Sequence, residues 1–237
     1  MKPSLVQKII ATNKENETTI LEQKGRVFTF LNPVSYLNAM DHQELFLPFD
    51  GILVDGSLLV AAIRCCYHIK VHRYSFDMTS LAAHLLKHAK ETGKTIYIVG
   101  DRQKHIERSV MRLLQQYPGI RIVGFRNGFF ATEDDEDDMA RSIARLNPDY
   151  LIVGMGSILQ EKFLLKVKKA GFKGIGFTCG GFVHQIAQNH INYYPAWIDR
   201  MNLRFIYRMY KEPYTRMRYL KAGILFPIRF FWERFGR

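Results

Sequence analysis

The sequence is poor in cysteine and contains no long hydrophobic run. It has three cysteines in 237 residues, and Cys65 and Cys66 are adjacent. This number and spacing exclude a disulfide framework and are typical of a reducing compartment. The N-terminus shows no apolar segment of the signal-peptide type, and no uninterrupted apolar run approaches the ~18–20 residues that span a bilayer. We therefore expect a cytoplasmic protein without a membrane-spanning helix.

A complete dinucleotide-binding fingerprint is also missing. Residues 151–153 are apolar and lead into Gly154-x-Gly156-Ser157, the pattern of a buried strand, a tight turn and the start of a helix. Such turns bind phosphate-bearing ligands in α/β proteins. The third glycine of the fingerprint is absent because position 159 is Leu. The segment thus predicts a nucleotide or sugar-phosphate site and argues against an NAD-dependent oxidoreductase.

Strands and helices alternate through most of the chain. We predict strands at 26–31, 51–54, 94–99, 120–125, 150–153 and 174–178, with helices at about 57–66, 80–92, 101–117 and 132–146 and from 157. This order predicts an α/β, Rossmann-like fold, with a mostly parallel sheet and helices on both faces. Ligands of such sheets bind at the carboxyl ends of strands. The expected strand-end residues are Asp55, Gly100, Asp101, Gly154, Gly156 and Gly181.

The net charge of +12 is concentrated near the C-terminus. Residues 200–237 contain ten Lys or Arg, two Glu and ten aromatic residues. This composition suits an anionic membrane surface or nucleic acid. We divide the chain into a polar, loosely packed N-terminal segment (1–24), an α/β core (25–195) and a basic appendage (196–237). We expect the appendage to contain a surface-lying amphipathic segment interrupted at Pro227.

Several short motifs together carry a family resemblance. They are Leu31-Asn32-Pro33, Val54-Asp55-Gly56, Arg73 with Asp77, Tyr97-Ile-Val-Gly100, Arg121-Ile-Val-Gly124, Gly128-Phe129-Phe130, Leu151-Ile-Val-Gly-Met-Gly-Ser157 with Gln160-Glu161, Gly180-Gly181, Pro195-x-Trp197, and Tyr207-Arg208 with Glu212-Pro213. In this order and spacing, from about Val27 to Leu220, the chain resembles the WecG/TagA/CpsF glycosyltransferases of bacterial surface-polysaccharide synthesis.

The resemblance implies transfer of a sugar from a UDP donor to a saccharide on undecaprenyl diphosphate, at the inner face of the plasma membrane. The sugar would be related to N-acetylmannosamine, or of the glucose or uronic type. The resemblance implies Asp55 as the general base, with Asn32 positioning the reacting groups. The residues expected around the donor and the diphosphates are Arg73, Asp77, Gly100, Asp101, Gly154, Gly156, Ser157, Gln160, Glu161, Gly181, Arg208, Arg216 and Arg218.

The chemistry of these residue types is consistent with direct, inverting displacement. A carboxylate accepts the proton of the attacking hydroxyl, and arginines and backbone N–H groups stabilise the leaving diphosphate. No Asp-x-Asp pair stands at a predicted strand end, so we expect a metal-independent enzyme with no cofactor beyond the UDP-sugar. The acidic run 133–138 fits a solvated helix N-terminus better than a metal site.

The donor sugar and other functions stay open at this point. The chain has Phe30, Phe76 and His184 where the family commonly has Thr, Gly and Asp. A catalytically silent, membrane-associated assembly partner is one alternative. A basic nucleic-acid-binding protein is another, although no such motif is present, and we expect no nucleic acid partner. Expected partners are the UDP-sugar, the lipid-linked acceptor, an anionic membrane surface and a second copy of the chain in a homo-oligomer.

Overall fold

The computed structural model describes residues 4–188, 198 and 203–236, without the side chain of Tyr214. Its strands form one six-stranded sheet in the order β2-β1-β6-β5-β3-β4, in which every neighbouring pair is parallel. The strands are β1 (Val27–Leu31), β2 (Gly51–Val54), β3 (Thr95–Gly100), β4 (Arg121–Arg126), β5 (Tyr150–Gly154) and β6 (Ile175–Thr178). The predicted α/β class and parallel sheet are confirmed.

Helices connect the strands, and two helices come before β1 in the sequence. They are α1 (Leu5–Thr12), α2 (Glu17–Glu22), α3 (Pro33–Asp41), α4 (Gln43–Phe46), α5 (Ser57–Tyr67), α6 (Leu81–Thr92), α7 (Gln103–Gln116), α8 (Glu133–Leu146), α9 (Leu159–Lys169) and α10 (Phe182–Gln188). A helix at Arg204–Lys211, a 3-10 turn at Pro213–Thr215 and a C-terminal helix at Arg216–Phe235 follow. The motif Pro195-x-Trp197 and the expected boundary at 195/196 lie outside the described residues.

Helices cover both faces of the sheet. Along β5, Tyr150 and Ile152 pack into the cluster that contains the buried side chains of α6 and α7. Leu151 and Val153 pack into the opposite cluster, with those of α8 and α9. Successive side chains of a strand point to opposite faces, so a strand buried on both faces appears in the sequence as a continuous apolar run. This explains why the strands were predictable.

The expectation of a loosely packed N-terminal segment is wrong. Leu5, Val6 and Ile9 are fully buried and belong to a third core cluster, which α1 shares with α3, α5 and the C-terminal helix. Ser4 and Gln7 form a reciprocal capping box at the start of α1. The polar composition of this segment reflects only the outer faces of its helices.

The C-terminal helix is continuous through Pro227, contrary to the expected interruption. One side of it is buried, because Ala222, Phe226 and Phe230 pack against the core. Phe226 and Phe230 both contact the ring of Tyr36 on α3. The favourable burial of these aromatic side chains offsets the hydrogen bond that Pro227 cannot donate. No helix among the described residues is both long enough and apolar enough to cross a membrane.

Candidate functional site

The residues after β1 and β2 lie side by side at the carboxyl edge of the sheet. Leu31 pairs with Val54 in the register of these strands, which places Asn32 next to Asp55. Gly56 has φ +86, and a Cβ atom on it would lie 3.4 Å from Pro33 Cδ and 3.6 Å from Asn32 Cβ. The Asn32 Oδ1 atom accepts the backbone N–H groups of Val34 and Ser35, so this side chain caps α3 at the edge of the site.

Asp55 is held by hydrogen bonds on both sides. Its backbone N–H donates to the carbonyl of Leu31 at 2.7 Å, and the Ser75 hydroxyl donates to its Oδ1 at 2.6 Å. Burial of the carboxyl group raises the pKa of Asp55, and the Ser75 hydrogen bond and the Arg204 charge oppose that shift. A carboxylate with a raised pKa is a stronger base than a solvated one, which suits proton abstraction from a hydroxyl.

Asp77 pairs with an arginine of the C-terminal appendage. Arg204 Nη1 lies 2.5 Å from Asp77 Oδ2 and 3.3 Å from the Ser75 hydroxyl oxygen. Both side chains of this ion pair are only 12% exposed. Arg73 contributes to the electrostatic environment of Asp55. Asp77 thus has an ion-pair partner in the appendage, and Arg204 is a residue that the sequence analysis missed.

The glycines at the ends of β3 and β5 allow the backbones of these two strands to approach closely. A Cβ atom on Gly100 would lie 2.4 Å from the Gly154 carbonyl oxygen, and one on Gly154 would lie 2.6 Å from Cys179 Sγ. Gly156 has φ +84 and faces open space. The helix after β3 leads outward to β4, whereas the helix after β5 leads to β6. Strand connections that diverge in this way open a crevice in which ligands bind.

Gln160 and Glu161 form a buried network beneath this crevice. Glu161 is fully buried and accepts hydrogen bonds from Thr29, Gln160 and the backbone N–H of Ile158. The Oε1 atom of the Gln160 side chain accepts the N–H of Gly180 at 3.1 Å. The Ser-x-x-Gln spacing of Ser157 and Gln160 could also have formed a capping box, but Glu161 caps α9 by accepting the N–H of Ile158. These two side chains hold the turns after β5 and β6 in place.

Ser157 and Gly181 make contacts with helices outside the sheet. The Ser157 hydroxyl accepts a hydrogen bond from Asn38 of α3. A Cβ atom on Gly181 would lie 2.6 Å from Arg208 Nη2, so Arg208 reaches the carboxyl edge. The expected arginines Arg216 and Arg218 are exposed on the C-terminal helix.

Helix α7 begins at Gln103, two residues after the predicted start at 101, and Arg102 is the residue before it, so Asp101 lies in the turn after β3. The Asp101 carboxylate accepts the N–H of Arg102 and pairs with Nδ1 of His105 at 3.0 Å and Nδ1 of His184 at 2.9 Å. Burial opposes its ionisation, but the hydrogen bonds from His184, the Arg102 N–H and His105 outweigh burial and lower the pKa of Asp101 to about 2. The hydrogen bond to Asp101 raises the pKa of His184.

The fold is that of an α/β protein with a parallel sheet and a crevice at the carboxyl edge, the position at which such proteins bind their ligands. The sequence profile of the glycosyl transferase WecG/TagA/CpsF family matches residues 8–237. The chain therefore belongs to this family of glycosyltransferases, as the motifs indicated.

Relatives of known activity support the same class. The chain is 31% identical over 207 residues, 87% of its length and 86% of the relative, to the Shigella boydii UDP-Gal:alpha-D-GlcNAc-diphosphoundecaprenol beta-1,4-galactosyltransferase. It is 28% identical over 209 residues (86% and 79%) to the N-acetylglucosaminyldiphosphoundecaprenol N-acetyl-beta-D-mannosaminyltransferase of Bacillus subtilis strain 168. The enzyme with that name in Bacillus spizizenii is 27% identical over 202 residues (83% and 76%).

Proposed function

We propose that this glycosyltransferase moves a sugar from a UDP donor to N-acetylglucosamine on undecaprenyl diphosphate. The names of the Shigella and Bacillus relatives share this acceptor and differ in the sugar, galactose or N-acetylmannosamine. The observation that carries the proposal is Asp55, a partly buried carboxylate beside Asn32 at the carboxyl edge, oriented by the Ser75 hydroxyl.

In the proposed reaction, Asp55 accepts the proton of the acceptor hydroxyl as its oxygen attacks the anomeric carbon. The bond from that carbon to the diphosphate breaks, UDP leaves, and the configuration inverts. The turn after β6, which Arg208 contacts, lies two strands from β2, or roughly 10 Å away. This distance suits a donor with its sugar at Asp55 and its diphosphate near Arg208. Cationic side chains rather than a metal would then stabilise the leaving charge.

We also propose that the enzyme works at the inner face of the plasma membrane. The side of the C-terminal helix away from the core exposes apolar side chains at helical spacing, with Trp232 70% and Ile224 67% exposed. A helix with this face and flanking arginines binds the interface of an anionic bilayer. This position brings the enzyme to an acceptor whose lipid stays in the membrane.

The test is UDP release from a panel containing UDP-galactose, UDP-N-acetylmannosamine and UDP-glucose, with a short-chain lipid-diphosphate N-acetylglucosamine acceptor. We expect turnover with one donor in the wild type and a loss of at least 100-fold in kcat for Asp55→Asn, the range general-base catalysis contributes. Asp41→Asn is the matched control, because Asp41 is an exposed carboxylate that pairs with Arg229. Equal turnover by Asp55→Asn and the wild type would refute the role of Asp55 as the base. If the wild type does not bind UDP, the result would favour the catalytically silent assembly partner.

A further inference from the structure

Three side chains with metal-binding donor atoms converge at the end of β3. They come from three elements: Asp101 from the β3–α7 turn, His105 from the first turn of α7, and His184 from α10. One ligand atom of each, two imidazole nitrogens and a carboxylate oxygen, all lie within 4.8 Å of one another. The imidazole rings are 5.1 Å apart between centroids. Side chains at separations of this size could hold a single metal ion.

The backbone of Asp101 supports a role for its carboxylate. Asp101 has φ +55, a left-handed conformation that favours glycine. The chain nonetheless carries a carboxylate here and orients it with the Arg102 N–H at 2.7 Å. Residues in sparsely populated backbone conformations are frequent at ligand sites, and outer hydrogen bonds that fix a ligating carboxylate are usual around protein-bound metals.

The charge and exposure of the cluster also suit a cation. With neutral imidazoles the three side chains carry a net charge of −1. The exposed fraction of the side chain is 15% for Asp101, 26% for His105 and 28% for His184. The other charged groups that face His184 are Arg208 and Glu212 of the appendage, whose charges are opposite. The cluster is thus partly exposed, and His105 and His184 belong to α7 and α10.

We propose that Asp101, His105 and His184 form a binding site for a divalent transition metal, with Zn²⁺ as the best match. Two imidazole nitrogens and one carboxylate oxygen with an open fourth position are a set that Zn²⁺ accepts, and the same set holds Mn²⁺ or Fe²⁺ in other proteins. Mg²⁺ prefers oxygen donors and fits poorly.

The bound metal would lie far from Asp55 and connect two structural elements. Asp101 follows β3, which lies four strands from β2 in the sheet, or about 19 Å away. The ion would connect the β3–α7 turn to α10, which packs on α7 through the Ser109 hydroxyl and the Val183 carbonyl. The proposal is thus independent of the donor sugar and of Asp55 as the base.

The experiment measures metal binding by the full chain after treatment with EDTA and dialysis. Exposed Cys65 and its neighbour Cys66 are an alternative zinc-binding pair, so a Cys65→Ser/Cys66→Ser chain is the background. We expect one Zn²⁺ per chain by calorimetry, and a rise in Tm of about 5–10 °C at 100 times the Kd. Mg²⁺ should not give this rise.

His105→Ala and His184→Ala should each weaken Zn²⁺ binding at least tenfold, the scale expected when one of three ligands is lost. His84→Ala is the matched control, because His84 is an exposed histidine on α6 that pairs with Glu17. The Co²⁺ complex should show visible bands without the near-ultraviolet thiolate band. Absence of saturable Zn²⁺ binding in the background chain would overturn the proposal, and so would equal binding by all three histidine variants.

Discussion

Removal of the Ser75 hydroxyl tests whether Asp55 is the base. Ser75 is 2% exposed, and its hydroxyl donates to Asp55 Oδ1 at 2.6 Å. This hydrogen bond stabilises the ionised carboxylate, so it lowers the pKa of Asp55 against the effect of burial. In Ser75→Ala the carboxylate loses this donor, and the pKa of Asp55 must rise further.

The size of the shift follows from the strength of the hydrogen bond. A hydrogen bond to a charged group contributes about 1.5–3 kcal/mol, and one pKa unit corresponds to about 1.4 kcal/mol. The acid limb of the profile of log(kcat/KM) against pH should therefore move upward by about 1–2 pH units in Ser75→Ala. A base must be deprotonated to act, so activity falls at low pH and recovers as pH rises past the new pKa.

The assay is UDP release between pH 5 and 9 at low substrate concentration. Ser109→Ala is the control, because Ser109 is equally buried and its hydroxyl donates to the Val183 carbonyl, away from Asp55. Its acid limb should coincide with that of the wild type. If Ser75→Ala lowers activity by the same factor at every pH, the acid limb does not report Asp55 and the assignment of the base fails.

Three further predictions concern the C-terminal appendage. Arg204→Met removes the cation that pairs with the mostly buried Asp77 carboxylate, and should reduce the free energy of unfolding in urea by about 3 kcal/mol; an unchanged midpoint would contradict the buried ion pair. Phe226→Ala removes a fully buried ring that contacts Tyr36, and should cost about 3–5 kcal/mol in the same measurement. Trp232→Ser should weaken co-sedimentation with phosphatidylglycerol vesicles at least threefold without lowering Tm, because this ring is exposed and would contribute mainly to the proposed membrane contact.

Each of these variants has a matched control. Arg216→Met removes an exposed arginine of the same appendage, and Leu225→Ala truncates an exposed side chain beside Phe226; neither should change the unfolding free energy by more than about 0.5 kcal/mol. Met111→Ser changes an exposed apolar residue of α7, away from the C-terminal helix, and should leave vesicle binding intact. Loss of vesicle binding in Met111→Ser would show that vesicle binding depends on exposed apolar residues in general and not on the C-terminal helix in particular.

Local patterns were sufficient to predict the strands and most helices of the core. β2 spans Gly51–Val54 as expected, and α8 begins one residue after the predicted start at 132, because an apolar run and a capping residue such as Thr132 act within a few positions. The capping box of α1 was also readable in the sequence, since Ser4 and Gln7 are three residues apart. The polar residues between the apolar positions of α1 obscured this helix in the sequence.

The arrangement of distant residues was not predictable from local patterns. The position of β6 between β1 and β5 depends on packing of the whole chain. The same holds for Arg204, which lies 127 positions from Asp77, and for the contact of His184 with Asp101, 83 positions apart. The basic composition of residues 200–237 indicated that some arginine would bind an anion, but nothing in the spacing distinguished a protein carboxylate from a diphosphate.

The contacts of Arg204 connect the appendage to the hydrogen bonds of the proposed base. Arg204 donates to Ser75 at 3.3 Å, and the same hydroxyl oxygen donates its proton to Asp55 at 2.6 Å. The appendage thus fixes the direction of the Ser75 hydroxyl, because an oxygen that accepts from a guanidinium must aim its own proton elsewhere. A helix that only anchored the protein to a bilayer would not need this buried contact. The same segment therefore both exposes an apolar surface and completes the hydrogen-bond chain that tunes the proposed base.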